Sequence, residues 1–315
     1  MKVINYFTTL SICLALVLLL GINVSTLAQQ SPYIIDVHLH GSWPESDDEK
    51  YREHLLTQMH NNKVKLAVIS LTDYDHIANW KEAAPKQFLA GVMLACPRNL
   101  KEPLYKCFPT SEGWVDINWL SDMVKAEKIH AIHELGLNYY GILPSNPRFA
   151  PYFSLAAELD IPVGIHTQRG PPPGAKNSLR SDPACCPNYD PEVGNPALLR
   201  PVLEKHQNLR IWIQHVGSGK TGGFEPFWTE TLALLKDYPN VYLDLSITNG
   251  PLPIAQYESS LKKLIQAGFG DRIMFGSDNL PYELILKRLD SMKWMSEAQR
   301  QAILFKNAET FFKLK

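Results

Sequence analysis

Short apolar runs recur along this chain, and stretches with a helical repeat of apolar residues separate them. Eight of these runs contain β-branched residues and are apolar at successive positions, which is typical of parallel strands with both faces covered. The runs are Tyr33–His40, Val64–Leu71, Phe88–Ala95, Ile129–Leu137, Ile161–Thr167, Leu209–Val216, Val241–Ser246 and Arg272–Asp278. The pattern therefore predicts eight parallel strands.

The stretches between the runs predict crossover helices with one apolar face. They comprise residues 49–62, 116–128, 147–160, 195–208, 225–238, 256–268, 282–290 and 296–314. The last stretch begins at Ser296, whose hydroxyl can cap a helix. Strands and helices that alternate eight times within one domain predict a (β/α)8 TIM barrel, with an open doubly wound sheet as the alternative.

Polar residues end several of the apolar runs. His38 and His40 end the first run, His166 ends or nearly ends the fifth, His215 lies at the end of the sixth, and Asp278 ends the eighth. His38 and His40 are two residues apart in a strand, so their side chains leave the same face. Because the carboxyl ends of barrel strands converge, these residue types predict a metal site at the C-terminal face of the barrel.

Other polar residues near the strand ends are expected to support the site. Asp36 precedes His38 by two residues and is expected to hold an imidazole in orientation. His130 and His133 are weaker candidates, with His130 expected in the core or beside the site. Tyr139 follows a strand end and is expected to line the pocket. Four isolated histidines are expected in solvent: His54, His60, His76 and His206.

The first 28 residues predict a secretory signal peptide. Lys2 precedes an apolar stretch, Leu10–Leu20, and small residues near Ala28 suit a signal peptidase. An uncleaved N-terminal anchor is the alternative. Residues 29–315 then form a single domain in the periplasm or outside the cell.

The charge balance of the chain narrows the class of binding partner. Lys and Arg total 31 against 32 Asp and Glu, so the chain lacks the basic excess typical of nucleic-acid binding. A small-molecule substrate is expected, and the oligomeric state is left open.

Four cysteines follow the predicted leader, and in an oxidising compartment they predict structural disulfides with three possible pairings. They are Cys96, Cys107, Cys185 and Cys186.

A long connection follows the fifth run. Residues 168–195 are rich in proline and glycine and have no helical repeat, which favours either a lid over the barrel mouth or a solvated insertion held by cysteines. Arg169 and Lys220 lie just beyond His166 and His215, and they are candidates for binding an anionic group of the substrate, with solvated loop charges as the alternative. Arg180 fits a solvated loop charge better.

Taken together, the motifs at the strand ends resemble those of the amidohydrolase superfamily, in its amidohydrolase-related (amidohydrolase 2 type) group. The resemblance rests on the H-x-H of the first run, on "IPVGIHT", "IQHVGSG" and "FGSD", and on the closing "KNAETFF". It covers nearly all of residues 29–315. It implies that His38, His40 and Asp278 bind one divalent metal ion, expected to be zinc. His166 and His215 then bind a second ion or contact the substrate.

The fourth run decides between one ion and two. Members of the superfamily with two ions carry a carboxylated lysine or a glutamate there, and this chain has Glu134. The segment "ELGLNYY" is similar to the corresponding strand of TatD-like deoxyribonucleases. A carboxylate between two dications offsets their repulsion. Glu134 is therefore predicted to bridge two ions, and the alternative is a buried acid paired with a neighbouring His or Arg.

The ligand set implied by the resemblance predicts a metal-dependent hydrolase. A metal-activated water would attack a C–O or C–N bond of a lactone, ester or amide, and Asp278 would transfer the proton to the leaving group. A single-metal decarboxylase of the same superfamily and a phosphoesterase are the enzymatic alternatives. The non-enzymatic alternative is an exported metal-binding protein.

Overall fold

A computed structural model describes residues 33–41, 48–94, 110–111, 114–170, 172, 174–175, 186–217 and 227–314. Within these ranges no helix combines the length and apolar character needed to cross a bilayer. The predicted leader, Arg180, Lys220 and three of the four cysteines expected in disulfides lie outside them. The predictions made for those residues stay predictions.

Eight parallel strands form one sheet with the order β1-β2-β3-β6-β7-β8-β9-β10. Their bounds are β1 Ile34–His40, β2 Val64–Leu71, β3 Phe88–Val92, β6 Ala131–Leu135, β7 Val163–His166, β8 Ile211–Gln214, β9 Val241–Asp244 and β10 Ile273–Met274. Each strand lies within one of the eight predicted runs. The short strands β4 (Thr110–Ser111) and β5 (Trp114–Val115), which the pattern did not predict, form an antiparallel hairpin before β6.

Backbone hydrogen bonds close the sheet between its last and first strands. The Val37 N–H donates to the Phe275 carbonyl at 2.9 Å, and the Asp278 N–H donates to the His38 carbonyl at 2.8 Å. The sheet is therefore a barrel with helices between its strands, which confirms the predicted (β/α)8 fold.

Helices connect the strands. Their bounds are α1 Asp48–Asn61, α2 Tyr74–Ala83, α3 Ile117–Lys125, α4 Leu137–Tyr140, α5 Ala150–Glu158, α6 Arg200–Lys205, α7 Trp228–Asp237, α8 Ile254–Leu264, α9 Tyr282–Ser291, α10 Glu297–Gln301 and α11 Asn307–Phe311. Five further helical segments of the 3-10 or π type adjoin them: Pro191–Gly194, Pro196–Leu199, His215–Gly217, Ile265–Phe269 and Ala302–Lys306. Ser296 caps α10 as predicted, because its Oγ accepts from the Gln299 N–H at 3.2 Å.

Helix α2 is absent from the prediction, and it changes the environment of one histidine. Asp73 caps it by accepting from the His76 N–H at 2.8 Å. The His76 side chain is buried, with Nδ1 3.2 Å from the Thr72 hydroxyl. The expectation that His76 lies in solvent is therefore wrong, whereas His54 and His60 are exposed as expected.

Apolar side chains fill the barrel beneath the strand ends. Trp212 on β8 is fully buried there and packs with strand residues such as Val68 and with Phe311 of α11. Gly164 on the neighbouring strand gives the indole its room, since a Cβ at this glycine would lie 2.4 Å from the Trp212 ring. The ring centroid of His133 is 5.2 Å from that of Trp212, so the apolar filling ends where the histidines begin.

Asp36 links β1 to the segment after β10 through buried hydrogen bonds. Its carboxylate accepts from the His38 N–H at 3.0 Å, from the Ser277 N–H and hydroxyl at 3.0 and 2.5 Å, and from the Tyr282 hydroxyl at 2.7 Å. Burial raises the pKa of Asp36 to about 6, although these hydrogen bonds act in the opposite direction.

The prediction that Asp36 orients an imidazole is wrong, and a β-bulge is the reason. Asp36 pairs with Ala67 and Leu39 pairs with Ile69, so β1 has one extra residue between these pairs. The extra residue interrupts the alternation of faces. Asp36 therefore lies on the opposite face from His38 and His40.

Replacing Asp36 with alanine is expected to lower the free energy of unfolding by about 2–5 kcal/mol, because several buried donors lose their acceptor. Urea denaturation of both proteins measures the difference. Asp271→Ala is the matched control, since this side chain is 81% exposed, and it should change the free energy by less than about 0.5 kcal/mol. Equal free energies of unfolding for the two variants would contradict the stabilising role of the Asp36 hydrogen bonds.

Candidate metal centre

The structure brings all six predicted ligands to the C-terminal face of the barrel. His38 and His40 end β1, Glu134 lies in β6, His166 ends β7 and His215 directly follows β8. Asp278 lies in the turn after β10. Two groups of three within this set have ligand atoms close enough to share an ion: His38, His40, Glu134, and Glu134, His166, His215.

One half of the site contains two imidazoles and two carboxylates. Oδ1 of Asp278 lies 3.0 Å from Nε2 of His40 and 3.7 Å from Nε2 of His38. Oε2 of Glu134 lies 3.4 Å and 3.7 Å from the same two nitrogens. These atoms therefore surround one point.

The other half uses the second oxygen of the same glutamate. Oε1 of Glu134 lies 2.5 Å from Nδ1 of His166 and 3.4 Å from Nε2 of His215. The two carboxylate oxygens thus face different halves of the site, which is the arrangement expected of a bridging carboxylate.

Glu134 reaches this position because β6 is irregular. Ile132 pairs with Val163 and Leu135 pairs with Ile165, so β6 has one extra residue between these pairs. The irregularity lets the adjacent His133 and Glu134 both face the barrel interior, which regular alternation would prevent.

The electrostatics of the site favour a bound cation. Burial would lower the pKa of His38, but the carboxylates of Asp278 and Asp244 raise it well above its usual value. Burial would raise the pKa of Glu134, but His166 and hydrogen bonds from the imidazoles hold it well below its usual value. Burial acts in the same way on Asp278, whose pKa is lowered by His38 and His40. The carboxylates are therefore ionised in a buried pocket that stabilises positive charge.

The donor set fits one or two divalent ions. Imidazole nitrogens with carboxylate oxygens suit zinc and other first-row divalent metals. The Nε2 atom of His38 is buried and has no hydrogen-bond partner among the described residues. A buried polar nitrogen without a partner is costly unless a ligand or ion satisfies it.

The backbone at two of the predicted ligands adopts the left-handed region. His215 has φ of 58° and is followed by Val216, also at 58°, while Asp278 has φ of 48°. Such values are uncommon for residues other than glycine, and for a β-branched residue they are outliers that the surrounding structure must enforce. The turn after β10 is held by Asn279, which accepts from the His40 N–H at 2.7 Å and donates to the His40 carbonyl at 2.9 Å.

Two residues of β9 and its end support the site and were not predicted. Oδ2 of Asp244 lies 3.1 Å from Nδ1 of His38. The Ser246 hydroxyl lies 3.0 Å from the same nitrogen and 2.9 Å from Nδ1 of His215. An Asp and a Ser within an otherwise apolar run were the available signal for this role.

His133 lies beside the ligands without joining either group. Its ring is 4.9 Å from that of His38, and its Nδ1 is 2.6 Å from Nε2 of Gln214. Burial lowers the pKa of His133 well below its usual value, and the neighbouring His38 lowers it further. His133 is therefore a neutral buried histidine. His130 is partly buried, as expected for a core position, and its Nδ1 accepts from the Ala90 N–H.

The described part of the 168–195 connection lies near the second half of the site. Tyr189 of this connection packs against Tyr139, with ring centroids 5.5 Å apart, and Tyr139 packs edge-on against His166, with ring centroids 5.6 Å apart. Arg169 forms an ion pair with Glu192 at 2.7 Å and keeps 41% of its side chain exposed. Cys186 is disulfide-bonded, as expected for an oxidising compartment, and every other cysteine of the chain lies outside the described ranges. Substrate binding by Arg169 and Lys220 stays a prediction.

A closed (β/α)8 barrel with histidines and carboxylates gathered at its C-terminal face defines an amidohydrolase-type barrel. The chain belongs to the amidohydrolase family, because the model of that family matches residues 35–314. No curated protein matches the sequence.

Solved structures share the fold at low sequence identity. A probable 2-pyrone-4,6-dicarboxylic acid hydrolase from Acinetobacter baumannii, with citric acid bound, has a TM-score of 0.60 and 16% identity, covering 89% of this chain and 99% of its own. A 5-carboxyvanillate decarboxylase from Sphingomonas paucimobilis has a TM-score of 0.58 and 12% identity, covering 90% and 100%. A dihydroxybenzoic acid decarboxylase from Polaromonas sp. JS666, with manganese and 2-nitroresorcinol bound, has a TM-score of 0.57 and 16% identity, covering 90% and 98%.

Proposed function

We propose that this protein is a two-ion, metal-dependent hydrolase that cleaves a C–O or C–N bond in a small lactone, ester or amide. The observation that carries the proposal is Glu134, whose two carboxylate oxygens face different groups of histidines. A carboxylate in that position can hold two dications at close range by offsetting their repulsion. His38, His40 and Asp278 would hold the first ion, and His166 and His215 the second.

The ions would acidify a water molecule and polarise the substrate carbonyl. Asp278 would accept the proton of the attacking water and deliver it to the leaving group. Its side chain keeps 16% exposure at the mouth of the site, whereas His38 is fully buried. Asp278 can therefore contact both water and substrate, whereas the buried His38 can act only as a metal ligand.

A decarboxylase that uses a single ion is the second candidate. Two structural relatives are decarboxylases, one of them with manganese bound, and another is described as a probable hydrolase. A single ion on His38, His40 and Asp278 would leave Glu134 paired only with imidazoles. The position of Glu134 between the two groups favours the hydrolase.

Export is part of the proposal. It is supported by the apolar stretch within residues 1–28 and by the small residues near Ala28. The disulfide at Cys186 agrees with an oxidising compartment. Zinc is the proposed ion because it suits imidazole and carboxylate ligands, with manganese as the alternative.

Metal removal tests the proposed chemistry. Treatment with a chelator is expected to abolish hydrolysis of a panel of lactones, esters and amides, and zinc or manganese should restore it. The same preparations are assayed for carbon dioxide release from hydroxylated aromatic carboxylic acids, and metal is counted per chain by elemental analysis. Full hydrolysis by the metal-free protein would overturn the proposal. One ion per chain with carbon dioxide release would assign the decarboxylase.

A further inference from the structure

We propose that Asp244 and Ser246 form one positioning unit that fixes the tautomers of His38 and His215, so that each presents Nε2 to an ion. The inference rests on the proposed two-ion centre. It assigns a role in both halves of that centre to Asp244 of β9 and to Ser246, which follows β9. Asp244 and Ser246 are fully buried. They contact the imidazoles on the side opposite to Glu134.

The hydrogen-bond capacity of Ser246 fixes the direction of its contacts with Asp244 and the two imidazoles. A serine hydroxyl has one proton to donate and two lone pairs to accept with. Its Oγ lies 2.5 Å from Oδ1 of Asp244, an oxygen that also accepts from two backbone N–H groups, so the single hydroxyl proton is donated there. The remaining contacts of Oγ, to Nδ1 of His38 at 3.0 Å and Nδ1 of His215 at 2.9 Å, must then be made by N–H donors on the imidazoles.

Asp244 has the same effect on the neighbouring atoms. Its Oδ2 accepts from Nδ1 of His38 at 3.1 Å. Its Oδ1 accepts from the backbone N–H groups of His215 and Ser246, both at 3.1 Å, which fixes the carboxylate in place. An oxygen that accepts from two backbone N–H groups presents lone pairs to its other neighbours, so the carboxylate acts as an acceptor here.

A neutral imidazole with its proton on Nδ1 has a free lone pair on Nε2. Nε2 of His38 faces Glu134 and Asp278 at 3.7 Å, and Nε2 of His215 faces Glu134 at 3.4 Å. One serine hydroxyl therefore sets the ligand atom in both groups at once. Ligand orientation by such outer hydrogen bonds typically changes metal affinity by about 10- to 100-fold.

The two residues are expected to affect the two ions unequally. In Ser246→Ala, Nδ1 of His38 keeps its bond to Asp244, whereas Nδ1 of His215 keeps only the Ser246 carbonyl at 3.4 Å. The ion on His166 and His215 should therefore weaken about 10- to 100-fold and the other ion less. In Asp244→Asn, an amide N–H can face Nδ1 of His38 and disfavour its protonation, so the ion on His38 and His40 should weaken more.

The experiment titrates zinc into the metal-free full-length protein in competition with a chromophoric chelator. Thr248→Ala is the matched control, because the Thr248 hydroxyl is also buried and donates to the Leu245 carbonyl at 2.7 Å without touching an imidazole. In the zinc-loaded protein, nitrogen-15 NMR of labelled histidines should show two hydrogen-bonded Nδ1–H signals that move in Ser246→Ala and stay in Thr248→Ala.

The outcomes separate this inference from the proposed function. Wild-type protein that binds only one zinc ion would contradict the two-ion centre, while the Nδ1–H signals would still report on the tautomers. Wild-type protein that binds two ions, with equal affinities and unchanged signals in Ser246→Ala and Thr248→Ala, would overturn the positioning role alone. If Ser246→Ala does not fold, the unequal weakening in Asp244→Asn and the wild-type Nδ1–H signals decide the question.

Discussion

Replacing Glu134 with glutamine is expected to remove one of the two proposed ions and to slow the proposed hydrolysis by about 100- to 1,000-fold, a range typical of losing one preorganised electrostatic group at a reacting centre. Glutamine has nearly the shape of glutamate but only one oxygen, so it can face one group of histidines as an acceptor and not both. Its amide would present N–H donors to the other group, where an ion needs a lone pair.

Elemental analysis of the purified variant and its kcat on the hydrolysed substrate measure both effects. Glu258→Gln is the control, since this glutamate lies on α8 away from the strand ends, and it should keep both the ions and the rate. Two retained ions at an unchanged kcat would mean that Glu134 is a buried acid paired with His166. One ion in the wild-type protein and in Glu134→Gln would favour the decarboxylase.

Asparagine at position 278 is expected to lower kcat by about 100- to 10,000-fold, the range associated with loss of a general acid–base group. Asparagine keeps an oxygen near Nε2 of His40, where Oδ1 of Asp278 now lies at 3.0 Å, but it cannot take up a proton. The ion content should therefore stay close to that of the wild-type protein while turnover falls.

Steady-state kinetics and elemental analysis on the same preparation separate the roles of Asp278. A fall in kcat with ions retained supports proton transfer. An unchanged kcat would exclude that role, and a parallel loss of one ion and of activity would leave Asp278 as a ligand only. Asp271→Asn, a change of the same type at an exposed position, controls for the effect of losing one surface charge.

Local sequence patterns predicted the strands of this protein better than its helices. The eight strand segments were predicted because parallel strands covered on both faces are apolar at successive positions, and the observed strands lie within the predicted runs. Helix α2 was missed although Asp73 caps it. Its apolar residues alternate with several charged and polar ones, so the helical repeat is weak in this segment.

The site was predicted where residue type and position alone carry the information. His38 and His40 were expected to share one face because they are two apart, and Glu134 was found by analogy with related strands. The same reasoning was wrong for Asp36, since a bulge in β1 interrupts the alternation that placed it beside His38.

The sequence by itself determined the barrel, its family and the six residues that gather at the strand ends, because strand periodicity and the identity of strand-end residues are local properties of the chain. Only the tertiary structure decided how these residues are arranged. The bulges in β1 and β6, the two-sided position of Glu134 and the hydrogen bonds of Asp244 and Ser246 arise from strand register and from contacts between residues about 30 to about 200 positions apart. Such contacts depend on how the strands pair around the closed barrel, which no local pattern encodes.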